Sequence, residues 1–274
     1  MKYAKLNNGV EMPIVGLGTW LSKSEDAYNA VLHAIKEGYR HIDTAMVYGN
    51  EESVGKAIKD SGVDRKDLFI TTKLWNSDQG YETTKEAFAL SLEKLGLDYI
   101  DLYLIHWHKS YELTIESYKA MIELYKEGKI RAIGVSNFAI HHLNNIINNF
   151  DVVPMVNQVE THVALQNHVL HNFCKDNGIQ LEAYAPLMSR NISELLEDET
   201  LLAIAKKHNK TVPHVAIRWL VERDIVVIPK SITPTRITTN FNVFDFELDS
   251  EDMEKIRALN KARKLFPEPD NIDF

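Results

Sequence analysis

Eight short apolar runs, each followed by a longer amphipathic segment, constrain the fold of this chain more than any other feature. The apolar runs are typical of strands, and the segments between them space their apolar residues as helices do. The runs are 15–20, 39–43, 68–75, 99–107, 130–137, 153–158, 179–185 and 225–230. Eight strands that each precede a helix predict an α/β fold of the TIM-barrel type, a (β/α)₈ barrel.

A short β-hairpin is expected before the barrel, over residues 3–14. Its turn is Asn7-Asn8-Gly9, a sequence that favours a tight reversal between two strands. No linker rich in Pro, Ser or Gly interrupts the pattern that follows, so residues 1–274 are interpreted as one domain. The predicted helices include 24–36, 83–95 and 115–126.

The chain of 274 residues is acidic, with 31 Lys and Arg against 39 Asp and Glu and a net charge of −8. This balance disfavours a nucleic-acid or anionic-membrane partner, so any phosphate must be bound locally. No apolar run is long enough to span a bilayer, and the first residues lack the apolar core of a signal peptide. We therefore expect a cytoplasmic monomer whose single cysteine, Cys174, is buried.

Polar residues with catalytic chemistry lie at the ends of successive predicted strands, which meet at one mouth of a barrel. Asp43 and Tyr48 follow the second strand, Lys73 the third and His106 the fourth. Tyrosine has a reference pKa of about 10, so it needs a cationic neighbour to act as an acid, and both Lys73 and His106 are candidates. Asp43 could hold the lysine charged and in place. The arrangement suits reduction of a carbonyl group, with Tyr48 donating a proton while a hydride reaches the carbon.

Three tryptophans also end predicted strands. In a barrel they would line the mouth as an aromatic pocket that excludes water, although the alternative is that they cap the core. The expected substrate contacts are Trp20, Tyr48, Trp75, His106 and Trp107.

Segment 228–237 passes from the eighth strand into a helix and has the features of an anion site. Hydroxyls and free backbone N–H groups at the helix start, with Lys230 and Arg236 close by, could hold a phosphate. Barrels often bind phosphate after strands seven and eight. Two cations with hydroxyls favour the 2′-phosphate of NADP over NAD. The alternative is a solvated Lys and Arg beside an ordinary helix cap.

A nicotinamide ring needs a flat partner and polar groups for its carboxamide. Tyr184 ends the seventh strand and could stack on the ring, while Ser136, Asn137 and Gln158 could bind the carboxamide and fix which hydride faces the substrate. Gly16-Leu17-Gly18 resembles the start of a dinucleotide fingerprint, but the third glycine and the βαβ unit are missing. We expect these glycines to allow close backbone approach instead.

Together these motifs resemble the aldo-keto reductase family of NADP-linked barrel enzymes, which reduce aldehydes and ketones. The matching motifs span nearly the whole chain, at 16–20, 43–45, 48–51, 96–107, 134–138 and 228–231. The resemblance implies a catalytic tetrad of Asp43, Tyr48, Lys73 and His106. In it Tyr48 is the proton donor, Lys73 lowers its pKa and His106 orients the carbonyl oxygen. The short connections and tail are most similar to bacterial diketogluconate or methylglyoxal reductases.

The resemblance also implies a set of NADP contacts, with NADPH preferred over NADH. They are Thr19, Trp20, Asp43, Ser136, Asn137, Gln158, Tyr184, Leu187, Lys230, Ser231, Thr233, Arg236 and Asn240. Two positions depart from the family pattern. His108 lies where members often have proline, which bears on substrate preference, and Thr239 lies where they often have a glutamate near the adenine.

Two other functions fit parts of the sequence. A barrel that binds NADP without turnover, as a redox-sensing subunit of a larger assembly, would use the same cofactor residues, but the intact tetrad argues against it. A metal-dependent barrel hydrolase could use His41-x-Asp43 and His106-x-His108, each of which puts two possible ligands on one strand face. That hypothesis leaves Tyr48 and the basic segment unused, so no metal is expected.

Overall fold

The computed structural model describes residues 2–272 and 274, in which a short hairpin precedes eight parallel strands in chain order. The hairpin pairs β1 (Tyr3–Lys5) with β2 (Glu11–Pro13), as predicted. The parallel strands are β3 (Leu17–Gly18), β4 (His41–Asp43), β5 (Phe69–Leu74), β6 (Ile100–Ile105), β7 (Ile130–Ser136), β8 (Val156–Glu160), β9 (Gln180–Tyr184) and β10 (Val226–Val227).

The parallel sheet closes on itself because its first and last strands also pair. β3 and β10 lie at the two ends of the strand order, yet Val15 bridges Val227 and Gly18 bridges Lys230 in parallel register. The backbone N–H of Gly16 donates to the carbonyl oxygen of Val227 at 2.8 Å. Closure removes the free edges of the sheet. The predicted (β/α)₈ barrel with an N-terminal hairpin is therefore confirmed.

The first and last barrel strands are much shorter than the apolar runs that predicted them. β3 and β10 have two residues each, whereas 15–20 and 225–230 were expected to be strands. Pro229 has no N–H to donate to a ladder, so pairing near it continues only through isolated bridges. The predicted bounds were wrong at both ends of the sheet, although the closing contacts lie inside the predicted runs.

Within the described residues, one helix follows each of the first six barrel strands, but three follow β9 and two follow β10, which is more than the predicted one per strand. Neighbouring helices from α1 to α5 contact one another in chain order. The helices are α1 (Ser24–Lys36), α2 (Glu51–Ser61), α3 (Tyr81–Leu95), α4 (Tyr111–Lys126), α5 (Ile140–Asn149), α6 (His168–Asp176), α7 (Ile192–Leu196), α8 (Glu199–Lys207), α9 (Val212–Glu222), α10 (Pro234–Phe241) and α11 (Ser250–Arg257).

Two helices begin earlier than predicted because of the residues that precede them. α4 begins at residue 111 rather than 115, since the Ser110 Oγ caps it by accepting the backbone N–H of Leu113 at 3.2 Å. α3 begins at residue 81 rather than 83, directly after Gly80, whose φ of +134° marks the turn into the helix. α1 has the predicted bounds.

Buried apolar side chains form one continuous cluster that joins the strands to the helices. Cys174 belongs to it and is fully buried on α6, as predicted. Gly16 and Gly18 allow the close approach expected of them. A Cβ atom on Gly16 would lie 2.5 Å from Nδ1 of His41, and one on Gly18 would lie 2.9 Å from the Ile228 carbonyl oxygen. In the described part of the chain, no helix has the length and apolar character required to cross a membrane.

Candidate active site

A cavity of about 670 Å³ opens where the barrel strands end and the following loops begin. Sites of (β/α)₈ barrels normally lie at this end. The predicted site residues that line it are Trp20, Asp43, Tyr48, Trp75, His106, Trp107, Ser136, Asn137, Gln158, Tyr184, Leu187, Lys230 and Arg236. Those that do not line it are Thr19, Lys73, Ser231, Thr233 and Asn240.

A buried ion pair lies next to the cavity. Lys73 on β5 donates from Nζ to Asp43 Oδ1 at 2.6 Å and to the Thr44 carbonyl oxygen at 2.8 Å. Gln158 donates from Nε2 to the other carboxylate oxygen of Asp43 at 2.7 Å. Burial raises the pKa of the Asp43 carboxyl, and the Lys73 ammonium opposes that shift. Because both carboxylate oxygens have partners, the ion pair is held in one position.

Tyr48 ends the short 3₁₀ turn Met46–Tyr48 after β4 and is half-buried. The Nζ of Lys73 lies 5.2 Å from the centre of its ring, but the hydrogen bonds of that ammonium go to other groups. Burial raises the pKa of Tyr48 well above 10, and Asp43 and Glu182 raise it further. The phenol therefore stays protonated at neutral pH in this arrangement, and the lowering of its pKa by Lys73 that the family resemblance implies stays a prediction.

His106 directly follows β6 and lies beside Tyr48. Their ring centres are 5.7 Å apart in an edge-to-face arrangement, and Trp75 packs against His106 in the same way at 5.2 Å. Burial, and then the charge of Lys73, lowers the pKa of His106 well below 6.5, so the imidazole is neutral at pH 7. A neutral imidazole has one N–H, which can donate to a substrate oxygen without giving up the proton.

Side chains at the ends of β7, β8 and β9 form a connected polar rim. The hydroxyl of Tyr184 donates to Asn137 Oδ1 at 2.8 Å, and Asn137 Nδ2 donates to the His106 carbonyl oxygen at 3.0 Å. The Ser136 hydroxyl donates to the Gln158 carbonyl oxygen at 2.9 Å. Asn137 has φ +61°, in the left-handed region, which asparagine tolerates better than most residues. The rim therefore holds its amide groups in fixed positions.

Glu182, which the sequence assigned to no site, is buried next to Gln158, and His41, predicted only as a ligand of the alternative metal hydrolase, is buried next to Glu182. Glu182 accepts a hydrogen bond from Gln158 Nε2 at 2.9 Å, and its other oxygen is 3.6 Å from His41 Nε2. Burial, and then Asp43, raises the pKa of Glu182 to about 8, while burial lowers the pKa of His41 to about 3. Both are uncharged at neutral pH, so their contact is not an ion pair. An ionisable residue within an apolar strand run was the signal that could have identified them.

The cavity also reaches three exposed cations, Arg190, Lys230 and Arg236. Among residues 2–272 and 274, none of the three forms an ion pair with a carboxylate, and Lys230 and Arg236 flank the start of α10. Ser231 Oγ accepts the backbone N–H of Thr233 at 3.0 Å and shapes the turn before α10. Asn240 is buried on α10 itself. Cations without acidic partners at a helix start favour a bound anion.

Asn50 joins the loops that follow β3 and β4, a role that the sequence did not indicate. Its Nδ2 donates to the carbonyl oxygens of Thr19 and Ser22, at 3.1 and 3.0 Å. Its Oδ1 accepts the hydroxyl of Thr44 at 2.6 Å. The side chain of Thr19 itself is buried and bonded to the β4 backbone. These bonds support the loop that carries Tyr48.

The tail after α11 adds aromatic residues to the cavity that the sequence did not predict. Phe266 packs edge-to-face against Trp20 and Tyr184, with ring centres 5.5 and 5.2 Å apart. Phe274 stacks on Trp75 at 5.8 Å with an interplanar angle of 6°. No local signal distinguishes a loop phenylalanine in a pocket from one at the surface, so only the folded structure identifies them.

The ligand pairs required by the metal-hydrolase hypothesis do not form a common cluster in the described part of the chain. Asp43, a member of one pair, is engaged by the Lys73 ammonium. Among the described residues, candidate ligand atoms from three side chains lie within 4.8 Å of one another only at His141, His142 and Asp270. The hydrolase hypothesis is thus left without a metal site at the cavity.

Comparison with known proteins agrees with this geometry. The sequence pattern of the aldo/keto reductase family matches residues 14–261. Glyoxal reductase of Bacillus subtilis (strain 168) is 54% identical over 271 residues, which cover 98% of this chain and 97% of that protein. Methylglyoxal reductase DkgA of Escherichia coli (strain K12) is 45% identical over 269 residues, which cover 98% and 97% respectively.

Solved structures share the whole architecture. MGS-M4, an aldo-keto reductase from a Medee basin deep-sea metagenome library, is 64% identical with a TM-score of 0.98, over 100% of both chains. An aldo-keto reductase crystallised with NADPH is 34% identical with a TM-score of 0.92, over 97% of this chain and 90% of that one. The resemblance read from the motifs is confirmed: this chain belongs to the aldo/keto reductase family of oxidoreductases.

Proposed function

We propose that this protein reduces aldehydes and ketones to alcohols, using hydride from NADPH. One observation carries the proposal. A single cavity brings together a protonated phenol, Tyr48, a neutral imidazole, His106, and two cations without acidic partners among the described residues, Lys230 and Arg236. The buried Asp43–Lys73 ion pair lies next to it.

The residues around the cavity fit a nicotinamide dinucleotide phosphate. The cavity volume of about 670 Å³ is within the usual range for ligand sites, about 300–1,000 Å³. Lys230 and Arg236 would hold the 2′-phosphate, because these two cavity cations flank the start of α10, whose free backbone N–H groups also favour an anion, whereas Arg190 lies in the loop after β9. Asn137 and Gln158 would bind the carboxamide, and the Tyr184 ring would cover the nicotinamide face. When bound, the cofactor supplies the hydride.

Tyr48 is the proton donor in the proposed reaction. Its raised pKa keeps the hydroxyl protonated until the carbonyl oxygen gains negative charge. An alkoxide is a stronger base than a phenolate, so proton transfer becomes favourable only at that stage. The neutral N–H of His106 donates to the same oxygen and orients it. The two groups together polarise the carbonyl and fix its position.

Lys73 and Asp43 provide electrostatic support. The ammonium of Lys73 lies close to the Tyr48 ring, so it stabilises the phenolate that remains after proton transfer. Asp43 fixes the position of Lys73, and Gln158 in turn fixes Asp43. The lysine therefore acts on the charge that develops during the reaction, whereas the resting phenol keeps its raised pKa.

We propose small 2-oxoaldehydes as the substrate class. The cavity near Tyr48 is walled by aromatic side chains, including Trp20, Trp75 and Trp107, which suit compact carbonyl compounds. The relatives that are 54% and 45% identical are named glyoxal reductase and methylglyoxal reductase. Every side chain with a proposed role belongs to one chain, so we propose a monomer as the active form.

The decisive experiment measures NADPH oxidation by the purified protein with methylglyoxal, for wild type and Tyr48→Phe. The substitution removes the acid but keeps the ring, so kcat should fall about 10²–10⁴-fold while NADPH still binds in a fluorescence titration. Tyr28→Phe is the matched control, because its hydroxyl contacts Asp60 on α2, away from the cavity residues. Full activity in Tyr48→Phe would reject the assignment. A wild type that binds NADPH but oxidises it with no aldehyde would favour the redox-sensing barrel.

A further inference from the structure

Two of the contacts that attach the tail after α11 to the barrel use side chains of β8 and α5, in addition to the backbone N–H groups of Lys261 and Arg263, which donate to the Ala164 carbonyl oxygen. At the first, the carboxylate of Glu160 accepts the backbone N–H groups of Leu265 and Phe266, at 2.7 and 3.2 Å. At the second, His141 and His142 at the start of α5 both approach Asp270 Oδ1 with Nε2, each at 2.9 Å. The tail therefore runs from β8 to α5 between Phe266 and Phe274, both of which line the cavity.

The second attachment is built as a hydrogen-bond clamp. His142 is almost fully buried, and its Nδ1 accepts the backbone N–H of Ala139 at 3.2 Å. This bond requires the proton of the neutral ring to be on Nε2, which then donates to Asp270. Burial lowers the pKa of His142 to about 4, so the ring is neutral at pH 7. His108 stacks on the same ring, with centres 3.9 Å apart, and holds its plane.

The same bond argues against a metal ion at this cluster. A metal ligand must offer the lone pair of Nε2, but Nε2 of His142 carries the proton. Coordination would therefore break the backbone bond to Ala139. Among the described residues, the three side chains meet the distance requirement for a metal site, yet the chemistry of His142 favours a donor.

Four residues beyond Asp270, Phe274 lies in the cavity wall. Phe274 stacks flat on Trp75 and packs edge-on against Trp107 at 5.7 Å, while Asn76 Nδ2 donates to its carbonyl oxygen at 2.9 Å. A fully extended segment of four residues spans at most about 14 Å, so fixing Asp270 restricts where Phe274 can reach. If the clamp is lost, the aromatic contacts and the Asn76 hydrogen bond must offset the whole entropy cost of ordering this segment.

We propose that His141, His142 and Asp270 are positioning residues that select small carbonyl substrates by holding Phe274 against Trp75 and Trp107. The clamp touches neither Tyr48 nor the cofactor residues. It acts through the tail, which narrows the aromatic side of the cavity. This inference rests on the proposed carbonyl reduction, but the position of the tail can be measured without it.

The first test is hydrogen exchange of residues 265–272 in wild type and Asp270→Ala. Loss of the acceptor should increase exchange in this segment at least about tenfold without changing exchange in the barrel strands. Asp270→Asn retains an acceptor oxygen and should restore much of the protection. Glu268→Ala is the matched control, since Glu268 is exposed in the same tail and pairs only with Lys264 among the described residues. Unchanged exchange in Asp270→Ala would overturn the clamp.

The second test compares a small and a bulky aldehyde as substrates of the same variants. In Asp270→Ala the KM for methylglyoxal should rise about fivefold or more with kcat nearly unchanged, while the KM for 4-nitrobenzaldehyde stays constant or falls. Equal changes for both aldehydes would overturn the selection role. Absence of any aldehyde reduction by wild type would reject the proposed function, whereas the exchange result would still decide on the clamp. One zinc ion per chain, retained on dialysis and lost in Asp270→Ala, would replace the clamp with a metal site.

Discussion

Glu182 shows how burial changes the chemistry of one residue. On a surface its carboxyl would be ionised at neutral pH, but inside the barrel it lies without exposure beside another carboxyl, Asp43. Gln158 donates to both carboxyls from one nitrogen and thereby orients its own amide group. A residue that the sequence left unassigned thus helps to position one that the sequence had assigned to the cofactor.

Glu182 should make the protein less stable as the pH rises. Its pKa is about 8 in the folded chain against 4.5 in the unfolded chain, so between these values the unfolded chain releases a proton that the folded chain keeps. Its contribution is fully present below pH 4.5 and is lost towards pH 8. Glu182→Gln cannot lose stability in this way. The free energy of unfolding of the variant, minus that of wild type, should therefore increase by on the order of 1–3 kcal/mol between pH 5 and pH 8.

Urea unfolding at pH 5, 6.5 and 8 measures this difference. Glu112→Gln is the matched control, because it is the same substitution at a residue that is exposed on α4. A constant offset between Glu182→Gln and wild type at all three values would contradict the raised pKa.

At the scale of elements, the start of α10 combines hydroxyls, backbone N–H groups and cations in one short segment. Because these features are local, the sequence alone predicted the segment as an anion site. The structure adds that Lys230 and Arg236 reach the same cavity as Tyr48. Thr239 lies on α10, three residues after Arg236, as the sequence predicted for the residue near the adenine of the cofactor. Its contact with the adenine is a prediction.

Lys230→Ala and Arg236→Ala should each weaken NADPH binding about tenfold or more while leaving NADH binding nearly unchanged. The reason is that only NADPH carries the 2′-phosphate, with which each cation would form a charge-assisted hydrogen bond of about 1.5–3 kcal/mol. Dissociation constants from fluorescence titration decide the result. Lys59→Ala, an exposed lysine on α2, controls for the change in net charge. Equal weakening of both cofactors would place the 2′-phosphate elsewhere.

At the scale of the whole molecule, closure of the barrel joins the first and last strands of the sheet. Val15 and Val227 pair across more than two hundred residues of sequence, and one apolar cluster joins the strands to the helices. A sheet that is closed in this way cannot lose one strand without opening two interfaces. This connection supports the prediction that residues 1–274 form one domain.

Unfolding should therefore be a single transition. Trp20, Trp75 and Trp107 report on the barrel mouth, whereas Trp219 is buried on α9. Tryptophan fluorescence and far-ultraviolet circular dichroism should give coincident midpoints in urea. Trp219→Phe is the control, because its fluorescence comes only from Trp20, Trp75 and Trp107 at the barrel mouth. Two separated transitions would contradict the single domain.

The order of the strands, the hairpin, the family and the residues at the strand ends could be predicted from the sequence, because they depend on local spacing, turn residues and motifs. The additional helices after β9 and β10 were not predicted. The contacts of Asp43 with Gln158, of His41 with Glu182 and of Phe274 with Trp75 became known only from the folded structure. Each of these contacts joins residues far apart in the chain, so it exists only once the barrel has closed and set the stagger of its strands.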